Sequence, residues 1–195
     1  MIGAFIHVKE MGETLPKEKG VLYGVKADVS NEKDVSEVFQ WIRSKVETIH
    51  VLVNCAGIGR YYPLTGEGKA DDLQKILGVN TFGMINCTTE ALKLMKEKGV
   101  DNGHIIHINS VAGHGILPFN GHYVHSASKH GVTSISPGLV NTEMIQDFLT
   151  PGMDSLDGKP MLEPKDIADS VVYVLSTPPH VQIHELTIKP VGEEF

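Results

Sequence analysis

The chain has little cysteine, no long apolar run and too little positive charge, and each shortage removes a class of protein. Two cysteines in 195 residues, Cys55 and Cys87, give no disulfide framework and suit a reducing setting. No apolar stretch approaches the roughly 20 residues that span a bilayer, and Ile2 to Val8 is too short for a span or a signal peptide. Lys and Arg number 17 against 24 Asp and Glu, a formal charge of −7. That sign repels nucleic-acid phosphates. Ten histidines invite a metal, but the pattern does not supply a site. His104 and His107 lie an odd spacing apart on a strand and face opposite ways, while His122, His125 and His130 lack a carboxylate or cysteine set at ligand spacing. A soluble, cytoplasmic protein with no metal, nucleic-acid partner or membrane span is expected. Internal repeats and low-complexity tracts are also lacking.

What is present has a regular order. With 41% apolar content, residues 1–195 bury one core of ordinary size, so one domain is expected. Strand and helix patterns alternate, which predicts a parallel sheet with helical crossovers. Val21 to Asp28 reads as a strand. Ser30-Asn31-Glu32-Lys33 caps a helix through Val46, with Asp34 and Glu37 in its opening turns. Val35, Val38, Phe39, Ile42 and Val46 fall at helical spacing and should face the sheet. Val51-Leu52-Val53 is a short apolar strand that runs into Asn54-Cys55-Ala56-Gly57. Ile76-Leu77-Gly78-Val79-Asn80 opens a helical segment that reaches Met95. Ile105 to Asn109 reads as a buried strand ending at Ser110, and Val132 to Ser136 as a third, closed by Pro137-Gly138-Leu139-Val140-Asn141-Thr142. A last helix starts at Glu163-Pro164-Lys165-Asp166, with Ile167, Val171, Val174 and Leu175 as its apolar stripe. Residues 141–162 show no clear periodicity.

The run with most chemistry is Tyr123-Val124-His125-Ser126-Ala127-Ser128-Lys129. Residues i and i+4 share a helix face, so His125 and Lys129 converge on one small volume. A lysine there favours the charged form of a phenol beside it, and a serine hydroxyl across the pocket can polarise a carbonyl or an alcohol. With Ser110 and the surrounding strands, the run resembles the hydride-transfer site of the short-chain dehydrogenase/reductase family, most closely its farnesol dehydrogenase and ketosteroid/carbonyl reductase branch. The tail from Pro178 to Ile188 is similar to the same branch, and the resemblance covers about residues 20 to 192.

The resemblance implies a Rossmann-like, doubly wound parallel α/β sheet and NADP as cofactor, with NAD possible. A hydrophobic alcohol or ketone, farnesol- or steroid-like, is the implied substrate, and a homodimer the usual assembly. By the same resemblance Ser110 polarises the substrate oxygen, Lys129 holds the nicotinamide ribose, and Asn80 holds a proton-relay water through a kinked helix. Asp28 and Val29 match positions that contact adenine. Asn54, Ala56 and Gly57 match the backbone under the adenosine ribose, and Cys55 replaces a second asparagine. Pro137, Gly138, Val140 and Thr142 match the nicotinamide-side loop, and residues 141–162 the lid over the substrate.

Two departures set expectations of their own. No Gly-x-Gly-x-x-Gly precedes Val21, and only His130 and Gly131 separate Lys129 from the next strand. The family's first βαβ unit, on the order of 50 residues, and most of the helix after Lys129 are therefore expected to be missing, as in a truncated relative. The second departure is at the acid itself. The family has tyrosine four residues before the lysine, and here that position is His125. Tyr123 lies six residues before Lys129, about 240° around a helix, and faces away unless it sits in a loop. Lys129 and an oxidised nicotinamide should lower the His125 pKa, leaving a poor acid at neutral pH. Weak or lost reduction follows, with a silent relative that pairs with intact subunits as the other expectation.

Overall fold

The computed structural model describes residues 20–60, 62, 68–115, 121–131, 134–148, 156 and 158–193. Helix α1 (Glu32–Lys45) starts at the cap named by the sequence. Asn31 stands in extended backbone, and its side chain accepts from Lys33 N at 2.9 Å and Asp34 N at 3.4 Å. Two amides that lack an intrahelical partner are thereby satisfied. Glu32 and Asp34 in the first turn and Arg43 and Lys45 in the last complement the helix dipole. Val35 and Phe39 are buried against Ala91 and Leu94, with Ile42, Ile49, Leu52 and Cys87 packed around them. Each large side chain fully buried in such a cluster stabilises the fold by about 1.5–3 kcal/mol. Val46 does not join it and is 46% exposed. It is the C-cap, and Glu47 next to it takes a positive φ of 70°, which turns the chain off the helix axis.

Strand β1 (Val51–Asn54) pairs in parallel with β2 (His104–His107), Val51 opposite His104 and Asn54 opposite His107. Strand β3 (Ile135–Pro137) pairs in parallel with β4 (Leu186–Ile188). A parallel bridge between Ile108 and Ile135, with Asn109 N donating to Ile135 O at 2.7 Å, joins the two pairs into the order β1-β2-β3-β4. The expected parallel α/β sheet is therefore present. Val21 to Asp28 is not part of it. These residues make no ladder hydrogen bonds, and Val21, Leu22 and Tyr23 are exposed. An apolar run becomes a strand only beside a neighbour that completes its backbone bonds, and none lies there among the described residues. Strand β3 begins at Ile135 rather than Val132; Val132 and Thr133 fall outside the described residues.

The helical segment expected from Ile76 begins earlier and is not uniform. Helix α2 (Ala70–Leu77) passes into a π-helical turn at Gly78–Gly83 and then into α3 (Met84–Glu97). The wide turn brings Asn80, 4% exposed, into the interior. Gly83 lets this turn lie flush on the loop before α1, since a Cβ there would sit 2.8 Å from Val29 Cγ2 and 3.0 Å from Val29 O. Helix α4 (Tyr123–His130) ends one residue after Lys129, as the spacing predicts. Helix α5 (Pro164–Leu175) has a reciprocal cap, with Asp166 accepting from Glu163 N at 2.8 Å and proline in its first turn. Between β3 and α5 a 3-10 turn covers Glu143–Phe148; most of the remaining lid region lies outside the described residues.

Candidate active site

The carboxyl ends of β1, β2 and β3 open into a cavity of about 490 Å³, the place where a parallel α/β sheet ordinarily holds its ligand. Ser110, His125, Lys129 and Gly57 line it, together with Pro137, Gly138, Val140 and Thr142. Eight of the residues singled out by sequence thus share one cavity. Helix α4 sets His125 and Lys129 one turn apart, and the turn after β2 sets Ser110 opposite. Gly113 makes that turn possible. A Cβ there would meet Asn109 Nδ2 at 2.5 Å and the Lys129 carbonyl oxygen at 2.7 Å.

Each polar group has a defined partner. Ser110 caps a short 3-10 turn, its Oγ accepting from Ala112 N at 3.1 Å. That bond uses a lone pair and leaves the hydroxyl proton to donate. Lys129 is 8% exposed and donates to the Ile108 carbonyl at 3.2 Å. Burial lowers its ammonium pKa to about 8, with the nearby Cys55 thiol pulling the other way. His125 is 2% exposed, and its Nδ1 lies 3.2 Å from the Ile58 carbonyl oxygen. A carbonyl only accepts, so Nδ1 carries the proton and the neutral ring keeps its lone pair on Nε2. Burial first, then the Lys129 charge, lowers the His125 pKa to about 4, against a small opposing effect from the Ile58 bond.

Asn80 stands behind this wall. Its Oδ1 accepts from Ile58 N at 2.8 Å, and its Nδ2 donates to Ile58 O and Ser128 Oγ, both at 3.0 Å. The Ile58 carbonyl is therefore shared by Asn80 and His125. Tyr123 does not come to the site. It is the first residue of α4, is 38% exposed, and does not line the cavity. The turn geometry that rotates it away from Lys129 holds in the folded chain.

The adenine-side residues have internal duties. Asp28 Oδ1 accepts from Ser30 N at 2.9 Å and Ser30 Oγ at 2.6 Å, which builds the turn into α1. Val29 packs on Gly83. Asn54 Nδ2 donates to Thr88 Oγ1 at 3.0 Å and lies 3.0 Å from His107 Nδ1. Ala56 is exposed. Among the described residues no glycine-rich turn leads into a helix that would hold a pyrophosphate. The nicotinamide side fits a dinucleotide better: a cation, a hydroxyl at Thr142 and the loop Pro137–Val140 surround open space. At Gly57 a Cβ would find no atom nearer than 3.7 Å, so the fold itself does not exclude a side chain there. A glycine with room around it suits the close approach of a ligand.

Some site residues escaped the sequence reading. Ile167 and Val171 form the expected stripe of α5, but they face the cavity with Leu139, Met144 and Ile145. Cys55 lines it too and is solvent-reachable, although the packing around its sulfur pushes the thiol pKa up. Glu193 had no local signal at all. Its side chain is 1% exposed, accepts from Leu139 N at 2.9 Å and pairs with Lys189 at 3.5 Å. Any side chain at Gly138 would run into that carboxylate. Among the described residues no group of three or more His, Cys, Asp or Glu is placed to hold a metal, and no helix is long and apolar enough to cross a membrane.

The sequence profile of the short chain dehydrogenases matches residues 6–147. Farnesol dehydrogenase of Aedes aegypti is 42% identical, over 96% of this chain and 83% of its own. Dehydrogenase/reductase SDR family member 11 of Homo sapiens is 33% identical, over 88% of this chain and 75% of its own. Among solved structures, the closed form of serine dehydrogenase complexed with NADP+ superposes with a TM-score of 0.81 at 25% identity, covering 97% of this chain and 83% of that one. With the parallel sheet and the Ser110–Lys129 cavity, these matches show that the chain belongs to the short chain dehydrogenase family.

Proposed function

We propose that this chain is an NADP-dependent oxidoreductase of low activity that interconverts a hydrophobic alcohol, farnesol- or steroid-like, with its carbonyl. One observation carries the reading: Ser110, His125 and Lys129 flank a cavity whose other walls are mostly apolar and whose far side is the Pro137–Thr142 loop. NADPH, when bound, supplies a hydride to the carbonyl carbon. The chain's own part is to orient and to move a proton. The Ser110 hydroxyl donates to the substrate oxygen. The Lys129 ammonium holds a ribose and adds positive charge beside the oxygen on which negative charge develops. Leu139, Ile145, Ile167 and Val171 exclude water and select an apolar substrate. The final proton falls to His125, which is mostly neutral near pH 7. Low activity is the consequence. A homodimer in the cytoplasm belongs to the same proposal.

A second reading rests on the same histidine. With Tyr123 outside the cavity, a chain that makes little use of its acid suits a silent relative acting through intact subunits. A thermal melt with and without saturating NADPH separates the two. A ligand at a hundred times its Kd stabilises the folded state by about 2.7 kcal/mol. An upward shift, followed by turnover of farnesol-like alcohols, supports the oxidoreductase. A melt indifferent to NADPH supports the silent relative.

A further inference from the structure

Among the described residues, the cavity holds an amine with no carboxylate partner. Lys129 is buried, its hydrogen bond among the described residues goes to the Ile108 carbonyl, and the wall around it is apolar save for Ser110, Cys55, Asn109, His125 and Thr142. In an ordinary buried ion pair a carboxylate keeps the ammonium charged. Among the described residues no carboxylate lines the cavity, and the neighbouring phenol that the family places there is replaced by a neutral imidazole. We propose that Lys129 captures hydrophobic aldehydes covalently, as an imine, inside this cavity.

The step needs no oxidant or reductant. The ammonium first releases one proton to water. The amine lone pair then attacks the aldehyde carbon, and the carbonyl π pair moves to oxygen, which the Ser110 hydroxyl polarises and a proton from water completes. The nitrogen gives one proton back to water, leaving the neutral carbinolamine. Its hydroxyl departs as hydroxide when the nitrogen lone pair forms the C=N bond, and takes the last N–H proton to become water. Aldehyde and amine give imine and water. Room for the aldehyde's tail is the apolar space between Leu139, Ile145, Ile167 and Val171. The ammonium pKa of about 8 agrees with the geometry, since the neutral amine is accessible in mildly alkaline solution.

The imine does not depend on dinucleotide binding; the two compete for one amine. The test is to incubate the full chain with dodecanal and sodium cyanoborohydride at about pH 8, and to map the alkylated lysines by mass spectrometry. Lys129 should be labelled about tenfold or more above any exposed lysine, because at that pH roughly a hundredfold more of it is neutral. Lys129→Arg, checked for folding by its melt, should lose this label and keep the surface background. Labels spread over exposed lysines in proportion to their accessibility would overturn the proposal, as would none at Lys129. Repeating the labelling with NADPH tests the oxidoreductase reading separately. Protection supports both, whereas an unprotected label at Lys129 keeps the imine and removes the dinucleotide.

Discussion

Substituting His125 by tyrosine should raise carbonyl reduction, and the size of the gain follows from the burial of the ring. At its ordinary pKa near 6.5 about a quarter of a histidine population is charged at pH 7. At about 4, the value that burial and Lys129 impose here, only about one molecule in a thousand is. The acid is therefore depleted by roughly two hundredfold. General acid catalysis contributes about 10²–10⁴ in rate, so restoring a phenol beside Lys129 should return on the order of 10² in kcat. The assay is NADPH consumption with a farnesal-like aldehyde, in parent, His125→Tyr and His125→Phe chains. Phenylalanine fills nearly the same space without a proton and should show no gain. The parent rate should also climb about tenfold per unit as pH falls from about 7 toward 4, because the active form is the imidazolium. If tyrosine and phenylalanine give equal rates and the parent profile is flat, proton supply at residue 125 does not limit this chain.

Other outcomes follow from the same geometry. Folded His125 binds its proton only near pH 4, whereas the unfolded chain binds it near 6.5, so stability is full above 6.5. It should fall by about 3 kcal/mol as pH drops to 4, measured by urea unfolding across that window. Lys129, lowered from 10.5 to about 8, works with the same slope: stability should rise as pH climbs from about 8 to 10.5. Lys129→Met should accordingly melt higher than the parent at neutral pH while losing activity and aldehyde capture, and a lower melt would contradict the buried-charge argument. Gly113→Ala should cost about 1–3 kcal/mol because Cβ meets the Lys129 carbonyl, whereas Gly57→Ala should leave the melt nearly unchanged and weaken NADPH binding. Equal melts for the two glycine variants would show that the close approach at Gly113 is relaxed by the backbone.

Local chemistry made much of this legible. Asn31 and the Glu163–Asp166 pair announce helix starts because their side chains bond the nearest amides. His125 and Lys129 fall on one face because four residues make about one turn. What the sequence hides depends on partners distant in the chain. Val21 to Asp28 has a strand's composition, yet strandhood needs a neighbour. Ile167 and Val171 show the period of a core-facing stripe, and periodicity does not distinguish a core from a cavity wall. Glu193 reaches Leu139 across 54 positions, and no spacing rule connects them. Resemblance points to Asn80, but the π-turn that buries it leaves no simple mark in composition.

The early end of α4 has an electrical consequence. Lys129 lies in the last turn of a helix whose C-cap is Gly131, so the carbonyls of that terminus, those of Ser128 and Lys129 bonded to Thr81 Oγ1 and Gly131 N, lie within a turn of its backbone. Their partial negative charge, equivalent to about half an elementary charge, favours a cation within one turn and fades beyond it. A helix continued for several turns would carry that pole about 5 Å further away with each turn. A helix that ends here thus supplies part of the counter-charge that no carboxylate among the described residues provides, and grafting a longer helix after Lys129 would make its amine less basic still.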